Sequence, residues 1–72
     1  MYVETELLKQ LGRNIKAERV RKGYTQESFA EIIGVSREYI SRIERGQENM
    51  SVLRILKIAN NLKTDINNLL RF

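Results

Sequence analysis

The chain has 72 residues, 13 Lys+Arg against 9 Asp+Glu for a formal net charge of +4, and neither cysteine nor histidine. That length allows one domain over residues 1–72, with a modest core that depends on good helix packing or on association. Disulfides, cysteine- or histidine-based zinc sites and Ser-His or Cys-His catalytic pairs are excluded, while the basic balance suits an anionic partner.

Proline is absent, and apolar residues recur at spacings of three and four rather than alternating, so the pattern is all-helical. A first helix is predicted from about Glu6 to Lys22, with Leu7, Leu8, Leu11, Ile15 and Val20 among its apolar positions. Gly23 ends it in the left-handed conformation. Thr25 caps a short second helix, Gln26 to Ile33, that buries Phe29, Ala30 and Ile33. Gly34 turns the chain, Val35 fills the space beneath the turn, and Ser36 caps a third helix running to about Arg45 and Gly46. A loop, Gln47 to Met50, leads to Ser51 as the cap of a fourth helix, Val52 to Leu62. Its apolar positions are Val52, Ile55, Leu56, Ile58, Ala59 and Leu62. Asp65 caps a last short helix carrying Ile66, Leu69 and Leu70. Five such helices with short connections make a compact globule, since none is stable unpacked. No apolar run approaches the ~18–20 residues of a membrane span, and the opening Met1 to Glu6 lacks the charge and hydropathy of a secretory signal. A cytoplasmic location is expected.

The third helix separates two chemistries. At about 100° per residue from Ile40, Ile43 and Glu44 stay on the inner side, whereas Glu38, Arg42 and Arg45 fall roughly 140–200° away. Ser41 and Tyr39 flank that outer face, and Arg37 extends from the first turn. An arginine face alone is usually just solvated. Here it follows a short capped helix, a glycine turn and a small residue, Ala30, suited to a close helix crossing. The segment Thr25 to Gly46, TQESFAEIIGVSREYISRIERG, is therefore a helix-turn-helix whose outer face can enter a DNA major groove.

From about Leu11 to Leu70 the chain resembles the Cro/repressor-type, lambda-repressor-like helix-turn-helix domains of phages and bacteria, on that same Thr25–Gly46 motif. Within them, REYISRIERGQENMS looks like the controller proteins of restriction–modification systems, with an Asn-aliphatic-Ser run where relatives carry Asn-Pro-Ser. The chain departs from the broader pattern at Met50, where proline is frequent, and at Lys63, where glycine is frequent. The resemblance implies an all-α, five-helix DNA-binding domain and assigns roles residue by residue. Ser36, Arg37, Glu38, Tyr39 and Arg42 match positions that read or flank bases. Arginine fits guanine O6 and N7, and a glutamate can accept from cytosine N4. Glu38 has a second reading, as an i,i+4 partner that aims Arg42. Gln26 matches a phosphate clamp at a helix N-terminus, and Arg45 and Asn49 are further phosphate candidates. Inward-facing Glu44 matches a glutamate paired with an arginine of helix one, here Arg19, as a structural ion pair.

Leu53 matches a usually polar position and, with Met50 and Phe72, adds apolar surface near the C-terminal helices. Those residues either cover a small core or, over residues 51–71 and the loop before them, join two copies. A homodimer would read a palindrome with half-sites about 34 Å apart. The function expected is a sequence-specific transcriptional regulator binding double-stranded DNA, with RNA polymerase a candidate partner through Glu27 and Glu31. No metal, cofactor or small-molecule ligand is expected. The alternative is an antitoxin-like protein-interaction module on the same fold. An enzyme is disfavoured, as no nucleophile–base pair or phosphate loop is legible.

Overall fold

The computed structural model describes residues 3–72, and among them there is no strand. The order is α1 (Glu4–Arg21), α2 (Gln26–Ile33), α3 (Arg37–Glu44), α4 (Val52–Leu62) and α5 (Ile66–Leu69). The last four start on a side-chain oxygen. Thr25, Ser36, Ser51 and Asp65 accept from the backbone N–H of Ser28, Tyr39, Arg54 and Asn67 respectively, and such caps are each worth about 1 kcal/mol. Thr25 and Ser28 cap each other reciprocally. Helix α1 has no side-chain cap and starts at Glu4, two residues before the expected Glu6, with both glutamates in its first turn where the helix dipole favours negative charge.

Four of the helices close in the same way. Backbone N–H groups just past the helix return to carbonyls of its last turn, as in Gly34 N to Glu31 O at 3.3 Å and Val35 N to Ala30 O at 3.0 Å. The reversal needs a left-handed residue, supplied by Gly23, Gly34 and Gly46, and at the end of α4 by Lys63 with φ 53°. At Gly34, φ is 76° and the turn swings α3 across α2 without a Cβ penalty.

The core is one cluster. Ile15, Phe29, Ile40, Ile43, Ile58, Leu62 and Leu69 are fully buried, each burial contributing about 1.5–3 kcal/mol. Tyr24, Val35, Tyr39, Met50 and Ile66 pack around it. On α1 the buried stripe is Leu11, Ile15 and Arg19, an i, i+4, i+8 line. Val20, counted among the apolar positions of this helix, lies off that line and is 57% exposed. On α4 the buried stripe is Ile55, Ile58, Ala59 and Leu62, which leaves Val52, Leu53 and Leu56 facing outward.

Gly12 is buried where α1 crosses the end of α3. A Cβ there would lie 2.5 Å from Ile43 O and 2.6 Å from Glu44 O. The absence of a side chain is what lets α1 approach α3 this closely.

Two polar clusters pin the C-terminus to α1. Asn14 Nδ2 donates to Leu69 O and Arg71 O at 2.9 and 2.8 Å. Glu18 accepts from the Thr64 hydroxyl at 2.7 Å and from Arg21 at 2.7 and 2.8 Å. The Thr64 hydrogen bond first, then that of Arg21, holds the Glu18 carboxyl below its ordinary pKa. The unfolded chain therefore binds the proton more readily. Stability from this cluster is present above the unfolded value, near pH 4.3 for a glutamate, and is lost as pH falls through the lower folded value. Glu18→Gln is expected to flatten the acid limb of the stability–pH curve below about pH 4.3, measured by urea unfolding at stepped pH. An unaltered acid limb would remove Glu18 from this role.

Candidate nucleic-acid interface

The outer face of α3 rests on a buried ion pair. Arg19 Nε donates to Glu44 Oε2 at 2.6 Å and Nη2 to Oε1 at 3.1 Å, a two-bond fork with side chains only 8% and 3% exposed. Its third nitrogen, Nη1, donates to Tyr24 O at 2.7 Å. The guanidinium thus ties α1, the α1–α2 connection and the end of α3 together.

From Glu44 the network continues outward. Gln26 Nε2 donates to Glu44 Oε1 at 3.0 Å, and Arg37 Nη1 donates to Gln26 Oε1 at 3.4 Å. Gln26 is the first residue of α2 and Arg37 the first of α3. The two helix N-termini are therefore joined side chain to side chain above a buried charge pair. The remaining Nε2 hydrogen of Gln26, and the unpaired backbone N–H groups of the first turn of α2, suit an anion.

Ser36, Arg37 and Glu38 are exposed, and Tyr39 and Arg42 are partly buried. The Ser36 hydroxyl accepts from Tyr39 N at 3.1 Å. Arg37 and Glu38 approach to 3.5 Å on the exposed surface; such a contact contributes little in water. The Glu38–Arg42 pairing considered from the i,i+4 spacing does not form. Arg42 Nε instead donates to Glu48 Oε2 at 2.9 Å. The cause is the reversal at Gly46. Gln47 N–H donates to Arg42 O at 2.8 Å, which folds the following loop back along α3 and sets Glu48 beside Arg42.

Arg42 also lies over the Tyr39 ring, 5.7 Å from its centroid, and Arg54 of α4 lies 5.5 Å from the same centroid. Glu48 and Arg54 join this face through contacts that the helical pattern of the sequence does not show. The signal for Glu48 was its place two residues past a helix-ending glycine; nothing local marks Arg54. Arg45, the C-cap residue of α3, and Asn49, in the loop, are both exposed. Met50 is half-buried against the core, whereas Leu53 is 77% and Phe72 43% exposed. Among the described residues no group of histidine, cysteine or carboxylate side chains could hold a metal ion, and no helix is long and apolar enough to cross a membrane.

The fold is matched in proteins of known structure. The restriction–modification controller protein C.AhdI from Aeromonas hydrophila superposes with a TM-score of 0.78 at 38% identity, over 89% of this chain and 96% of that one. The controller protein C.Esp1396I, solved as a tetramer in complex with its natural 35 base-pair operator, superposes with a TM-score of 0.74 at 32% identity, over 90% of this chain and 96% of that one. The helix-turn-helix-type transcriptional regulator YazB of Bacillus subtilis is 54% identical over 35 residues, 49% of this chain and 51% of that protein. The chain spans about half the length of the first curated relatives it matches. The helix-turn-helix family matches residues 15–69, which carry the buried pair, the turn at Gly34 and all of α3 and α4. This chain belongs to the helix-turn-helix family.

Proposed function

We propose that the chain is a sequence-specific DNA-binding transcriptional regulator that occupies a palindromic operator as a homodimer, in the manner of a restriction–modification controller protein. The observation that carries this reading is the α3 face itself: Arg37, Glu38 and Arg42 stand out from a helix whose inner side is locked by the Arg19–Glu44 fork. The resemblance to C.AhdI and to operator-bound C.Esp1396I supports the controller assignment. On this reading Ser36, Arg37, Glu38, Tyr39 and Arg42 meet or flank base edges in the major groove, and Gln26, Arg45 and Asn49 hold phosphates. The protein works in the cytoplasm without catalysis, cofactor or small-molecule effector. Glu27 and Glu31, both exposed on α2, are the residues offered to RNA polymerase.

Titration on a selected duplex and on a scrambled one, at several salt concentrations, tests the reading. Arg37→Ala or Arg42→Ala is expected to lose about 1–3 kcal/mol on the selected duplex and to relax preference at one base position. Gln26→Ala is expected to weaken both duplexes alike, with little change in salt slope because the side chain is uncharged. Equal losses on both duplexes for both arginine variants would make them backbone clamps and overturn the assignment.

The dimer contact is proposed on the C-terminal half. Val52, Leu53 and Leu56 are 70%, 77% and 40% exposed on one short helix, a cluster of apolar surface that a second copy would cover. Met50 contributes from the core side, and Phe72 from the end of the chain. Sedimentation is expected to show a dimer at micromolar concentration, and Leu53→Glu a monomer; a Leu53→Glu protein that dimerises as before would remove this surface from consideration.

A further inference from the structure

The geometry points to Glu48 as a positioning residue that determines how Arg42 meets a base. This inference rests on the proposed role of Arg42. A guanidinium can present guanine with two parallel donors in two ways, side-on through Nε and one Nη, or end-on through both Nη groups. Glu48 Oε2 takes the Arg42 Nε hydrogen at 2.9 Å. Side-on presentation is thereby used up inside the protein, and the two Nη groups are left for O6 and N7. Tyr39 supports the same side chain, its ring centroid 5.7 Å from Arg42 Cζ. Two independent contacts, one ionic and one to a ring, thus restrain a side chain that would otherwise sample many rotamers.

The charge of Glu48 has a second consequence, with an opposite sign. Its carboxylate stands beside a groove-facing arginine, where an approaching phosphate backbone raises the energy of any negative group. Glu48 should therefore weaken binding to DNA of arbitrary sequence while favouring the guanine that Arg42 reads. A carboxylate that sharpens sequence preference and lowers non-specific affinity is a selectivity device. The pair is 41% and 26% exposed, so its contribution to folding is small and a change at Glu48 should leave the domain intact.

The test uses a duplex selected from a random pool, single base-pair replacements across its half-site, and a scrambled duplex, titrated with the wild type, Arg42→Ala, Glu48→Ala and Glu48→Gln. Arg42→Ala is expected to flatten preference at one G·C pair. Glu48→Ala is expected to reduce discrimination at that same pair by about fivefold or more, the low end of what a bidentate arginine–guanine contact supplies, while binding the scrambled duplex more tightly. Glu48→Gln keeps an acceptor for Nε and loses the charge, so it should retain more of the discrimination than Glu48→Ala and bind the scrambled duplex equally tightly. If both Glu48 variants bind selected and scrambled duplexes more tightly by one factor, with preference unchanged, Glu48 only repels DNA and the inference is overturned. If Arg42→Ala leaves every preference intact, it is the reading-face assignment that fails.

Discussion

Arg19→Ala is expected to destabilise the domain by about 3–5 kcal/mol, because it strands a carboxylate that is almost wholly shielded from water. Glu44 would keep one hydrogen bond, from Gln26, and would lose both donors of the fork. In a chain this small, each 1 kcal/mol moves the melting midpoint by about 4–8 °C, so a fall of more than about 10 °C is expected. The loss is one of stability first; on the function proposed above, any weakening of DNA binding should follow from a loosened α3 and a misplaced Gln26. A double change to apolar side chains of similar volume, Arg19→Met with Glu44→Leu, should regain much of the midpoint, since a buried pair is expensive to break and not expensive to replace. An unchanged midpoint for Arg19→Ala would show that the fork does not form in solution.

Gly12→Ala is expected to be the other severe lesion, despite adding a single methyl group to the middle of a helix. On an exposed helix this exchange would stabilise by about 1 kcal/mol. Here the new carbon would stand 2.5 Å from Ile43 O and 2.6 Å from Glu44 O. Those are backbone atoms at the end of α3 and cannot rotate aside. Helix α1 must withdraw, and the Arg19–Glu44 fork, seven residues further along the same helix, opens with it. Overpacking of this kind costs about 1–3 kcal/mol and sometimes more. Urea unfolding measures it, and a Gly12→Ala protein as stable as the wild type would mean that the two helices do not cross so closely.

Much of the fold was legible in the residues because helix ends are local events. A cap oxygen reaches a backbone N–H two or three residues away, and a left-handed residue reverses the chain over a similar span. Thr25, Ser36, Ser51 and Asp65 therefore marked the starts of α2 to α5, and Gly34 marked the turn between α2 and α3. The first helix was less legible at its start, where no cap residue stands before Glu4. The partner of Glu44 came from resemblance to a family and not from spacing, since Arg19 lies 25 residues away.

By itself, then, the sequence determined five helices, their order, an inward and an outward side for α3, and arginines on the outward side. Each of these depends on periodicity or on contacts within a turn or two, which the order of residues encodes directly. Only the tertiary structure decided which partner each polar side chain takes. Glu38 has the helical spacing to reach Arg42, yet Glu48 holds that arginine because the reversal at Gly46 brings the loop alongside. Gln26 joins the buried pair, Arg54 reaches Tyr39 from another helix, and Gly12 lies where α1 meets the end of α3. Hydrogen bonds and close contacts act over about 3–4 Å, and which groups come within that range depends on how whole helices pack.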